Sequence, residues 1–443
     1  MKVQASSAAA TIAILACLGR VDADVKTLNR FTFGSNNDQD LDQSIWTTIE
    51  SRHPDLHVSL GNNIVGDEPV FEWRSITKGV HRNTPISMLR EKYEKQMNHS
   101  EYKSFRASTP VIGIWDDRDY GRKDGASDYP FKADSQDLFL DFIGEPDDSP
   151  RRDQDGIYTS HTYGSGAKSV KFILLDHRFH KEPFDPNDKA MEWRFGNILG
   201  DAQWKWLENE LKTSTATFNF IGTSVPVLPT DRWFGTEGWA LFPDARLRLL
   251  DLIQLSNASG VVLLSGNVEF ADINEVSCGD HDYRLVEATS SGLTHAYTQD
   301  ITTPFQFASA IGYHLANRLL PWFYRPNPEV HWGGINFGEV AIDWTASPPT
   351  AAVTIRDRTS RARIQHAVSA TRFPVGGEHI GCAPVHEILI HQYMGGMLAL
   401  IFVSIAFFIS VAINAYIVFI FPVQLLVGYL KRLVFGAPKP KTD

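Results

Sequence analysis

The chain has 443 residues, 43% of them apolar and 21% charged, with a net charge of −10. That balance excludes a disordered polymer and allows one to three domains. It leaves no basic surface for a nucleic-acid backbone, so no nucleic acid is expected among the partners.

The N-terminus reads as a secretory signal over residues 1–23. Lys2 gives a positive start, residues 8–18 are apolar and uncharged, and Val21-Asp22-Ala23 offers a peptidase site. The apolar run is too short for a bilayer, which needs about 20 residues. Strand and helix patterns then alternate through residues 24–358. Residues 30–33 are strand-like and stop at Gly34. Residues 42–52 fit a helix with Ile45 and Ile49 on one face and Pro54 beyond its end. Residues 56–60 form a short apolar strand into Gly61, residues 84–97 a helix, and residues 111–115 a buried strand into Asp116-Asp117. A helix over 133–143 stops at Gly144.

Residues 170–175 are almost continuously apolar, as in a sheet covered on both faces. The spacing of Trp204, Leu207 and Leu211 predicts an amphipathic helix over 201–211, with Asp201 as its cap. Residues 218–227 and 261–264 read as core strands around a helix at 244–255. Alternating strands at 339–344 and 352–356 follow. The expected fold is α/β: packed sheets flanked by helices. Residues 302–331, rich in Pro and aromatics, read as a long loop or insertion. Residues 359–393 show little periodicity and are expected to be a juxtamembrane linker.

Residues 394–421 carry no charge and are long enough to span a bilayer as one helix. Asn414 is its one costly side chain, expected to face a partner helix. Lys431, Arg432, Lys439 and Lys441 place the tail, 422–443, in the cytosol. The reading is a single-pass type I protein of the secretory pathway or cell surface, with its large domain lumenal or extracellular. Its expected partners are the membrane and other membrane proteins. Of three cysteines, Cys17 leaves with the signal. Cys278 and Cys382 remain, as one disulfide or as two buried thiols. Asn98-His99-Ser100 and Asn257-Ala258-Ser259 match the glycosylation pattern.

Several strands end in Gly, Asp or Asn, where α/β sheets place ligand sites. In order these turns run from Gly34-Ser35-Asn36, through Gly61-Asn62-Asn63-Ile64-Val65-Gly66-Asp67 and Trp115-Asp116-Asp117-Arg118-Asp119-Tyr120-Gly121, to Gly266-Asn267-Val268-Glu269-Phe270 and Ser290 to His295. This series resembles the PhoD-like (alkaline phosphatase D-like) phosphatases over residues 31–357. The resemblance implies a metallophosphatase-type αββα sandwich. In active members the corresponding turns read Gly-Ser-Cys, Gly-Asp-Asn-Ile-Tyr, Trp-Asp-Asp-His-Asp-Tyr-Gly and Gly-Asp-x-His-Phe, and they hold iron and calcium or similar ions.

This chain departs from that pattern. Asn36 stands for the cysteine, Asn62 for an aspartate, Val65 for the tyrosine, and Arg118 for a histidine. Asn267 and Glu269 stand for an aspartate and a histidine. Asn63, Asp67, Asp116, Asp117, Asp119 and His295 keep the family residue type. Divalent ions need anionic oxygens, thiolates or neutral imidazoles. Val65 ligates nothing, and Arg118 is a fixed cation without a lone pair. Three outcomes stay open. Arg118 pairs internally with Asp116, Asp119 or Glu269 and no metal is held. Alternatively, Arg118 anchors a phosphoester or other anion. As a third outcome, one metal survives on Asp117, Glu269 and His295. The first implies a pseudophosphatase with a binding or scaffolding role, and the last an active phosphomonoesterase or phosphodiesterase with a remodelled site.

Overall fold

The computed structural model describes residues 26–67, 83–183, 196–229, 237–278, 283–296, 331–372, 382–384 and 390–436. The signal segment and residues 302–330 of the expected insertion lie outside them. The chain divides into two units, Met1–His386 and Glu387–Asp443.

In the first unit, β1 (Arg30–Gly34), β2 (Leu56–Leu60) and β3 (Val111–Ile114) run parallel. β11 (Asn336–Asp343) lies antiparallel against β1, and β12 (Thr350–Asp357) and β13 (Ala362–Ser369) extend that edge. The second sheet has β5 (Val170–Leu174), β6 (Phe218–Gly222), β7 (Val261–Ser265) and β9 (Tyr283–Ser290) in parallel order. β4 (Thr159–Tyr163) closes one edge against β5. At the other edge β8 (Ala271–Cys278) pairs with β9, and both β10 (His331–Trp332) and β14 (Cys382–Pro384) pair with β8.

The two-residue period of a strand sorts the core. Phe172 and Leu174 enter the space between the sheets, while Ile173 and Leu175 face away. Between the sheets the ring of Phe31 lies 4.9 Å from Phe172 and 4.8 Å from Phe220, both edge-on. On the far side of the second sheet, Trp204, Leu207 and Leu211 of α6 (Gly200–Lys212) and Leu249 and Ile253 of α7 (Pro243–Leu255) cover Ile173, Ile221 and Leu263. On the far side of the first, Trp46 of α1 (Ile45–Glu50) stacks on Phe105 of α3 (Ser100–Ser108) beside His57 of β2. The αββα sandwich follows from these two cores.

Several expected boundaries move. Asp201 does not cap α6: Leu199 holds the cap position, and Asn197 Oδ1 accepts the Leu199 and Gly200 N–H groups at 3.2 and 2.9 Å. The strand expected over 218–227 stops at Gly222, because Val227 and Leu228 give their N–H groups to the buried Glu287 carboxylate, each at 2.8 Å. The expected linker 359–393 contains β13 and β14, so the first unit extends well past residue 358. Cys278 is disulfide-bonded, and backbone register sets Cys382 opposite it.

The second unit is a helical run: α8 (Ile390–Ala415), a π-turn at Tyr416–Ile420 and α9 (Phe421–Phe435). Pro422 explains the π-turn. It has no N–H to give and its ring crowds the preceding turn, so the ladder widens there. Among the described residues, the stretch long and apolar enough to cross a membrane is Ile401–Leu430, 30 residues, later at both ends than the expected 394–421. Asn414 turns its Nδ2 back onto the Ser410 carbonyl at 2.8 Å.

Candidate functional site

The polar turns after β1, β2, β3, β7 and β9 come together. Backbone bonds tie the β1 turn to those after β2 and β9: Asn37 N–H donates to the Asn62 carbonyl at 2.8 Å, Leu293 N–H to Ser35 O at 3.2 Å, and Thr294 N–H to Asn36 O at 3.3 Å. Side chains bring in the turns after β3 and β7, Asn62 N–H reaching Asp119 Oδ1 and Asn267 N–H reaching Ser35 Oγ, both at 3.3 Å. Tight turns force left-handed backbone at Asn36, Asn62, Asn267 and Glu269. Asn tolerates that region best among residues with a side chain, and a β-turn carboxylate less so. Gly61, at φ +93°, leaves room for the third turn. A Cβ there would lie 2.6 Å from Asp116 Cβ and 2.9 Å from Asp116 N.

Asn62 is the hub. Its Nδ2 lies 3.1 Å from Asn36 Oδ1, 3.4 Å from Asp116 Oδ2 and 3.5 Å from Asn267 Oδ1. Its Oδ1 accepts the Arg118 backbone N–H at 3.1 Å. A backbone N–H can only donate, so this bond fixes which end of the carboxamide faces the other oxygens. Asn63 braces the same turn. Its Nδ2 reaches the Ile114 carbonyl at 3.0 Å and its Oδ1 accepts from Ser59 Oγ.

Asp119, buried in α4 (Asp117–Tyr120), accepts the N–H groups of Asn62, Asn63 and Asp116 at 3.3, 2.9 and 2.5 Å. Burial pushes its carboxyl up to about 7, against the pull of the Asn63 and Asp116 donors. Val65 contributes only backbone: its N–H donates to Gln39 Oε1 at 2.8 Å. Asp67 is raised by burial and then by the charge of Asp117.

Arg118 does not pair with Asp116 or Asp119, two of the partners open to it in sequence. It lies 3.6 Å from Glu269 Oε1, and the same oxygen is 3.8 Å from His295 Nε2. Burial opposes the guanidinium charge, but Asp117, Asp67, Glu269 and Asp38 outweigh it and hold Arg118 above its ordinary pKa. An anion approaching Arg118 therefore feels those carboxylates as well. His295 is lowered by burial and then by Arg118, with Glu269 opposing.

Asp116 has a different partner, one the sequence reading missed. Arg178, with no exposed side-chain surface, donates to Asp116 Oδ1 from Nε at 2.9 Å and from a terminal nitrogen at 2.5 Å. It also lies 2.6 Å from Glu237 Oε2, and Lys181 pairs with the other Glu237 oxygen. Arg178 follows the end of β5 in Leu175-Asp176-His177-Arg178. The strand-end rule that exposed the other turns points to it too.

The trio Asp117, Glu269 and His295 divides. Glu269 and His295 sit together, while Asp117 groups with Asp124 and Glu237, ligand atoms within 4.8 Å of one another. Asp117 Oδ2 accepts the Asp124 N–H at 3.1 Å, and its Oδ1 is buried without a hydrogen bond. Asn98 and Asn257 are both exposed.

A metal pair does not fit the hub. Where a dication would gather the oxygens of Asn36, Asp116 and Asn267, an N–H₂ group already points at them, and Asp116 is neutralised by Arg178.

Two packed mixed sheets with converging polar strand ends define an αββα domain with its candidate site at the strand ends. Residues 32–353 match the model of the PhoD-like phosphatases, so the chain belongs to the PhoD-like phosphatase family. It is 28% identical over 249 residues to alkaline phosphatase D of Bacillus subtilis (strain 168), a match covering 48% of this chain and 41% of that relative. The aligned region thus spans less than half of the curated relative. A solved structure of PhoD superposes with a TM-score of 0.53 at 19% identity, covering 80% of this chain and 74% of the other. GAP50, the anchor in the inner membrane complex of Plasmodium, superposes at a TM-score of 0.42 and 12% identity, covering 78% of this chain and 90% of the other.

Proposed function

We propose that this chain is a membrane-anchored PhoD-like protein that has exchanged metal-dependent phosphoester hydrolysis for a binding or scaffolding role. The observation that carries it is the Asn62 carboxamide, whose Nδ2 donates where a dication would collect oxygens. Arg118, set against Glu269, adds a fixed positive charge that repels a second ion. The Ile401–Leu430 helix supplies the anchor, with Lys431 and Arg432 on the cytosolic side and the domain lumenal or extracellular, where Asn98 and Asn257 are open to glycosylation.

Purified full-length protein is expected to carry no stoichiometric iron or calcium and to show no phosphomonoesterase or phosphodiesterase turnover. Tightly bound metal, with turnover abolished by Asp117→Ala or Glu269→Ala, would overturn the reading.

A second reading draws on the carboxylates of Asp117, Asp124 and Glu237. Asp117 and Asp124 would present hard oxygens to one divalent ion, with Glu237 joining only on release from Arg178 and Lys181, and the protein would then be a hydrolase with a remodelled site. It predicts a Tm that rises with added calcium or manganese, since an ion bound only by the folded state stabilises it.

A further inference from the structure

We propose that the C-terminal span pairs with a second copy of itself through Asn414. The inference rests on the reading of Ile401–Leu430 as membrane-spanning. In hydrocarbon every polar group must find its partner within protein. Most of the span does so alone. Tyr416 Oη donates to Gln424 Oε1 at 2.9 Å across the π-turn.

Asn414 is different. Its Nδ2 is held by Ser410 O at 2.8 Å, yet among the described residues no donor reaches its Oδ1. The next turn adds a second acceptor. Phe421 N–H goes to the Tyr416 carbonyl, and Pro422 has no N–H. The Ile417 carbonyl is therefore left without a donor in both the π and the α register. Ser410, Asn414 and Ile417 follow the i, i+4, i+7 spacing of one helix face, and all three are exposed.

That face needs donors delivered near the middle of the bilayer. A second copy brings them at the right depth by construction. A carboxamide both donates and accepts, so two Asn414 side chains can satisfy each other about a two-fold axis, and the Ser410 hydroxyls add a further donor. Lipid tails offer none.

The test uses full-length protein, labelled on the cytosolic tail with donor or acceptor dye and reconstituted in phosphatidylcholine vesicles. Wild type is expected to show energy transfer that grows with the protein-to-lipid ratio. Asn414→Leu is expected to weaken association about three- to thirtyfold, and Asn414→Gln to restore most of it. Equal transfer in wild type and Asn414→Leu overturns the pairing, as does wild type that resists alkaline carbonate extraction but shows no transfer above a monomeric-span control. Release of wild type by carbonate instead overturns the spanning reading, and the pairing with it.

Discussion

Arg178 and Asp116 meet with no exposed surface on either side chain, the guanidinium donating twice to one carboxylate oxygen. The contact joins the turn after β5 to the turn after β3, and so ties the second sheet to the first at the site. Removing one partner leaves an uncompensated buried charge. Arg178→Met is expected to cost about 3–5 kcal/mol of unfolding free energy, read from urea denaturation. A loss below about 1 kcal/mol would mean that the pair is not the support described here.

Asn62→Asp sets a second carboxylate beside Asp116. Without a metal the like charges should lower Tm by several degrees, and calcium or manganese should recover part of the loss. Wild type should show no such recovery. Adding Arg118→His, which removes the fixed cation, should enlarge the metal response. A double variant as indifferent to metal as wild type would refute this account of the hub.

The pH dependence follows from buried histidines. Burial, then the charge of Arg106, holds His57 down at about 3; burial, then Arg178, does the same for His177. Both lie below the ordinary 6.5, so the unfolded chain takes up protons first as pH falls. Their contribution is complete above 6.5 and is lost at about 1.4 kcal/mol per pH unit for each histidine down to about 3. Glu237 resists ionisation through burial, but Arg178 and Lys181 outweigh that and hold it at about 2. Its share is lost between its ordinary 4.5 and about 2. Asp119, held up at about 7, works the other way and gains stability as pH falls from 7 towards its ordinary 3.8, so the urea midpoint should fall below pH 6.5 by the excess of the two histidines over that one carboxyl. A midpoint constant from pH 7 to 5 would count against neutral buried imidazoles.

Cys278 should be found joined to Cys382 when peptides are mapped without reductant. Reduction should lower stability by about 2–4 kcal/mol, and Cys278→Ser should make the protein insensitive to reductant. A Cys278 peptide linked to neither Cys382 nor any other cysteine would exclude the pairing.

Much of this architecture could be read from the chain. Phe172, Ile173 and Leu174 announce a strand covered on both faces, and the Gly-Asn and Asp-Asp turns mark where strands end. β8 and β9 were not legible because their interiors are polar. Asp272 and Asn274 bond to one another at 2.7 Å, and Glu287 spans to the Val227 and Leu228 amides. Such pairing is invisible to an apolar count. β13 hid for the opposite reason: as an edge strand it buries only Ile364 and Val368. At the site, the substitutions at Asn36, Asn62 and Arg118 were plain, but their partners were not. A lone arginine after a strand reads as surface, and only the fold sets Arg178 behind Asp116.

The β14 strip adds a mechanical consequence. It ends at Pro384, six positions before the helical run opens at Ile390. Tension travelling up the chain from that helix reaches β14 before any other described strand, and β14 is seated on β8 beside a disulfide-bonded residue. The load is thus delivered to β8, inside the second sheet.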